Sequence, residues 1–245
     1  MMPLNMEKNF TWLRAFLLIP LLAFGSTAVR AAEPRYVAVQ GSPYGIGKAY
    51  MDREIAQVMS YHGAPWLERP ERMQEERPDL VLAALDLKPG MKVADIGAGT
   101  GYYSSRMAER VGAGGTVYAV DVQPEMIELL KKNMAERGAL NVKAVLGTTM
   151  DPKLPASALD LAIMVDVYHE LEYPYEMLAA IVKALKPGGR VAFVEFRGND
   201  PVVPIKAEHT MTEAQVRKEA AAQPLEWVRT VRDLPWQHVI VFRKR

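Results

Sequence analysis

The chain has 245 residues, a formal charge of +1 and no cysteine. That charge balance gives no electrostatic reason to expect a nucleic-acid partner. The missing thiols exclude disulfide stapling, thiolate metal sites and thiol nucleophiles.

Lys8 and Arg14 precede an apolar run, Ala15 to Gly25, and small residues before Ala31. This pattern predicts a cleavable export signal over 1–31, with an uncleaved anchor as the alternative, and a protein in the periplasm or outside the cell in either case. The apolar core is shorter than the roughly 20 residues that span a bilayer, so no stable membrane span is expected after cleavage. Residues 32–77 read as a linker and a small helical cap. Ile55, Val58 and Met59 share one side of a predicted helix over 49–61. Glu and Arg residues at helical offsets predict a salt-bridged face over 66–77. Tyr44, Tyr50, Tyr61 and Trp66 either form a lid or pack the cap onto the core. Asp79 is expected to cap a helix over 80–85.

From residue 78 onward, strands and helices alternate. Strands are predicted at 92–96, 116–120, 142–146, 160–165 and 190–196. Helices are predicted at 101–111, 124–137, 174–185 and 212–222. Alternation of this kind implies an α/β fold, doubly wound, with a mostly parallel sheet covered on both faces. Two last apolar runs, 225–231 and 239–243, add an antiparallel edge.

The stretch Val93-Ala-Asp-Ile-Gly-Ala-Gly-Thr-Gly101 is a buried strand entering a glycine loop and then a helix. Gly97, Gly99 and Gly101 let the backbone turn tightly and let a ligand approach. Asp121 ends the next strand, where an acid typically takes ribose hydroxyls. A nucleoside-type cofactor follows from that pair of features. Asp95 stands before the first glycine. It would repel a pyrophosphate but suits a cofactor bearing an ammonium and a sulfonium.

This pattern resembles motif I of the class I S-adenosylmethionine-dependent methyltransferases, and three later blocks extend the likeness from about Pro78 to Arg243. Val117 to Met126 resembles the family's second strand, Leu159 to Leu171 its fourth, and Leu185 to Glu195 its fifth. Trp66 to Arg72 is similar to a bacterial subgroup with export signals. The resemblance implies a seven-stranded Rossmann-like sheet over 78–245, S-adenosyl-L-methionine as cofactor, and in-line methyl transfer to a small-molecule acceptor. It places Asp95, Gly97, Gly99, Gly101 and Asp121 around the cofactor, with Thr148 or Asp151 at the adenine edge. Asp166 and His169 fall at the carboxyl end of the fourth strand. Asp166 is a cofactor or acceptor contact there, and His169 is a base, an acceptor clamp or a structural histidine. Glu195 and Arg197 end the fifth strand. His209 sits in the 198–210 segment, which is either a substrate loop or a surface excursion. The four histidines are far apart in sequence, so no metal site is expected from spacing, although distant residues can meet in a fold. Two other classes remain open: a non-catalytic module that holds S-adenosylhomocysteine or a related nucleoside, and a nicotinamide-dependent oxidoreductase.

Overall fold

The computed structural model describes Met1 and residues 34–245; the predicted export signal lies outside the described residues apart from Met1. Three short strands, β1 (Tyr36–Ala38), β2 (Gly45–Tyr50) and β3 (Arg53–Ala56), pair antiparallel in that order. Met51 and Asp52 join β2 to β3, both with positive φ (48° and 70°). That is the backbone of a two-residue hairpin turn, whose twist matches that of the strands. The helix expected over 49–61 is therefore replaced by a hairpin, with Ala49, Tyr50, Ile55 and Ala56 buried.

Helices α1 (Ala64–Leu67) and α2 (Arg72–Glu75) are each about one turn long. Pro70, between them, has no amide hydrogen to continue a helix, which divides the long helical face expected over 66–77. Helix α3 (Pro78–Ala84) opens with Pro at its first position, and left-handed Arg77 (φ 50°) precedes it. Asp79 lies in the first turn and pairs with Arg77 rather than capping. The cap is thus a small sheet with short helices, not a purely helical unit. Arg53 of β3 fastens it to the core. Its guanidinium makes two bonds to buried Glu219 (2.8 and 3.0 Å) and one to the His169 carbonyl (3.0 Å).

The core follows in chain order: β4 (Lys92–Ile96), α4 (Tyr102–Val111), β5 (Thr116–Asp121), α5 (Pro124–Glu136), β6 (Val142–Leu146), β7 (Leu159–Val165), α6 (Pro174–Ala184), β8 (Leu185–Phe196), α7 (Glu213–Ala220), β9 (Leu225–Val231) and β10 (Gln237–Lys244). The seven-stranded sheet has the order β6-β5-β4-β7-β8-β10-β9. All pairs from β6 to β8 are parallel, while β10 runs antiparallel to both β8 and β9. This is the mostly parallel sheet with an antiparallel edge that the alternation predicts.

Strand periodicity divides the core into two layers. Val93, Leu161, Ile163 and Val194 face Tyr103, Met107 and Val111 of α4. Ala94, Ala162, Met164 and Phe193 face Met177, Leu178 and Ile181 of α6. The chain leaves β4 toward β5 on one side and returns to β7 on the other. That reversal opens a crevice at the carboxyl ends of the strands, the usual ligand position in such sheets. Among the described residues no helix is long and apolar enough to cross a membrane.

Candidate active site

The glycine loop leaves β4 at the reversal point. Its Ala98 amide donates to the Val120 carbonyl (2.8 Å), stapling the loop to β5. The three glycines have positive φ of 69°, 54° and 84°, but their surroundings differ. Gly97 and Gly99 line a cleft of about 720 Å³. A Cβ at Gly97 would press on the Val167 side chain (2.5 Å), and one at Gly99 on Leu67 Cδ1 (2.6 Å). Gly101 is off the wall, and a Cβ there would meet Met134 Cε at 2.5 Å. Its bareness lets α5 pack close to the start of α4.

Asp95 also lies behind the wall. It is 3% exposed and accepts a hydrogen bond from Ser104 Oγ (2.6 Å). Burial lifts its pKa to about 6. Asp121 reaches the cleft from the end of β5. One of its oxygens accepts from the Gly99 amide (3.0 Å), the other from the Gln123 amide (2.9 Å). Burial again raises its pKa, against those two amides.

Thr148 does not line the cleft. Its hydroxyl is engaged in an exposed turn, accepting from the Asp151 amide (3.0 Å), and Asp151 pairs with Lys153. The next residue, Thr149, stands on the wall instead. Gln123 is there too. It accepts from the Tyr61 amide and donates to the Met59 carbonyl (both 2.9 Å), joining the cap to the end of β5. Of the four expected lid aromatics, Trp66 lines the cleft and Tyr50 is buried in the cap.

Asp166 follows β7 with a left-handed backbone (φ 53°), its amide bonded to the Val194 carbonyl (2.8 Å). A non-glycine residue held there carries strain of the kind that collects at functional sites. Oδ2 accepts from Gln237 Nε2 (2.7 Å), whereas Oδ1 is buried without a partner. Burial, and then the nearby Glu76 and Glu195 carboxylates, push its pKa well above the usual range. Arg72 lines the same cleft. It is 3% exposed, bonded through Nε to Glu76 (2.6 Å) and stacked over Tyr102 at 4.4 Å. The segment expected to form a salt-bridged helical face therefore brings a cation to the cleft wall.

His169 is 2% exposed, and its Nδ1 lies 2.5 Å from Glu195 Oε2. Glu195 is fully buried and accepts from the Tyr168 amide through its other oxygen (2.9 Å). A carboxylate can only accept, so Nδ1 carries a hydrogen, and in the neutral ring the lone pair is on Nε2. His209, 40 residues downstream, comes within 3.2 Å of that Nε2 through its own Nδ1. Glu170 Oε1 lies 3.3 Å from His209 Nδ1 and 3.8 Å from His169 Nε2. The 198–210 segment thus reaches the cleft, which Pro204, Ile205 and Lys206 also line.

Sequence reasoning did not single out Arg72, Gln123, Thr149 or Glu170. Arg72 sits among many paired charges, and nothing in its spacing marks it. The convergence of His169 with His209 depends on where a long loop lands, which no local pattern encodes.

The residues present fit an adenosyl amino-acid cofactor. The orphaned Asp166 oxygen suits an ammonium donor, and Asp121 retains acceptor capacity beyond its two amide bonds. Gly97 and Gly99 leave the backbone bare between them.

The chain matches a methyltransferase domain model over residues 87–237. It is 35% identical over 112 residues to a protein-L-isoaspartate O-methyltransferase of Pyrococcus horikoshii, covering 46% of this chain and 47% of that protein. It is 36% identical over 120 residues to an aklanonic acid methyltransferase of Streptomyces, covering 47% and 54%. The chain therefore spans about half the length of the curated relatives it matches. A solved SAM-dependent methyltransferase from Aquifex aeolicus superposes with a TM-score of 0.73 at 25% identity, over 77% of this chain and 100% of that one. The chain belongs to the methyltransferase domain family and has the fold of its class I members.

Proposed function

We propose that this enzyme methylates a small, largely apolar acceptor and that it does so outside the cytoplasm. When bound, S-adenosyl-L-methionine supplies a methyl group already activated on a sulfonium. The protein's part is then to orient, to exclude water and to manage one proton. Asp121 holds the ribose hydroxyls. Asp166 Oδ1 takes the ammonium, and Arg72 balances the carboxylate beside it. Thr149, rather than Thr148, stands at the adenine side.

The observation that carries the acceptor assignment is the His169–Glu195 pair beside the cleft. A buried carboxylate 2.5 Å from Nδ1 orients the ring and leaves Nε2 ready to bind or take the proton of a hydroxyl or amine. Holding a nucleoside requires no such pair, which favours catalysis over the binding-module reading. Ile46, Val58, Leu171, Phe196 and Ile205 supply apolar walls around it, favouring a small hydrophobic body with one polar group. Export rests on the Lys8-to-Ala31 pattern alone.

The test is a methyl-transfer screen across small phenols, amines and carboxylic acids, read by mass spectrometry. Turnover on at least one acceptor is expected. His169→Gln should lower it by about 10²-fold or more, the scale of general acid–base catalysis, with S-adenosylhomocysteine affinity unchanged. Full activity in His169→Gln would contradict the assignment.

A further inference from the structure

We infer that His169, Glu170 and His209 form a binding site for one divalent transition-metal ion, with an open coordination position facing the cleft. The three candidate ligand atoms are His169 Nε2, His209 Nδ1 and Glu170 Oε1. They lie 3.2, 3.3 and 3.8 Å apart. A tetrahedral ion with bonds of about 2.1 Å sets its ligand atoms about 3.4 Å apart. The observed triangle is close to one face of that tetrahedron, so an ion needs little rearrangement to sit on it. These are also the residues that meet as a possible ligand group among the described residues.

The shell behind the ligands points the same way. Glu195 holds His169 by Nδ1, so Nε2 is the nitrogen left to bind an ion. A carboxylate behind a ligating imidazole raises its basicity and fixes its ring. Two imidazoles and one carboxylate suit zinc, cobalt or iron better than magnesium or calcium, which prefer oxygen. Glu170 and His209 are partly exposed, at 13% and 24% of their side chains, while His169 is buried. An ion can therefore enter from the cleft, where all three residues form the wall.

The consequence for chemistry rests on the methyl-transfer reading; the binding itself does not. With an ion seated, His169 Nε2 is a ligand and no longer the base. An acceptor oxygen or nitrogen would then fill the open position, and the ion, as a Lewis acid, would let it lose its proton to water in the cleft; that atom takes the methyl group as the sulfur–methyl bond breaks, leaving S-adenosylhomocysteine.

Full-chain protein stripped with a chelator and titrated with Co2+ provides the test. One equivalent should produce the visible absorption of four- or five-coordinate cobalt, and Zn2+ should displace it. His209→Ala and Glu170→Gln should each weaken Co2+ binding at least about tenfold, the scale seen for disturbed metal sites. Calorimetry with S-adenosylhomocysteine on the same variants should show retained affinity, which separates this inference from the cofactor assignment. No absorption at millimolar Co2+, or a spectrum unchanged in His209→Ala, would overturn the site.

Discussion

Asp95 is buried beneath the glycine loop with the Ser104 hydroxyl as its hydrogen-bond partner. Its pKa rises from 3.8 to about 6 because burial disfavours the charge. The folded state thus binds this proton more tightly than the unfolded chain. The stabilising contribution is complete below about pH 3.8 and is lost as the pH rises through about 6. Asp95→Asn keeps an acceptor for Ser104 and removes the buried charge. It is expected to gain stability over the parent between about pH 4 and about pH 7, levelling at up to about 3 kcal/mol. Urea unfolding at both ends of that window checks it, and a pH-independent difference would contradict it. Asp121 was legible as a strand-end acid at the right offset from the glycines. Thr148 was less so, because the turn that removes it from the cleft depends on Asp151 and Lys153 folding back locally.

At the level of elements, the glycine loop couples two packing problems. Gly101 serves the contact between α4 and α5, while Gly99 serves the cleft. Gly101→Ala is expected to destabilise the fold. The left-handed conformation costs about 1–2 kcal/mol, and crowding Met134 adds about 1–3 kcal/mol. Gly99→Ala carries the conformational cost with only a Leu67 methyl to displace, so its larger effect should fall on cofactor affinity. Thermal unfolding and calorimetry on both variants distinguish the two. Equal losses of stability would refute the division. The core strands were readable because each holds a short apolar run closed by turn residues, although β8 starts at Leu185, ahead of the predicted 190–196. The β2–β3 hairpin was not. Its turn uses Met51 and Asp52 in a conformation that Asn-Gly usually signals, and its apolar residues also fit helical spacing.

Across the whole molecule, the sheet reversal gathers two chemically unlike groups of residues around one cleft. Asp121, Asp166 and Arg72 form a charged group, His169, Glu170 and His209 a second polar group, and apolar side chains complete the wall. Order along the chain pointed to the acids and glycines of the first group, since they follow strand ends, but not to Arg72. The second depends on the cap and the 198–210 segment folding over the sheet, a long-range event that spacing does not reveal. The most direct test is isothermal calorimetry of the purified chain with S-adenosylmethionine and S-adenosylhomocysteine, alongside Asp121→Ala. The structure predicts one site for either compound, weakened by about 1–3 kcal/mol in the variant, as for loss of a charged hydrogen-bond partner. Folded protein that binds neither compound, or an Asp121→Ala variant with undiminished affinity, would contradict it.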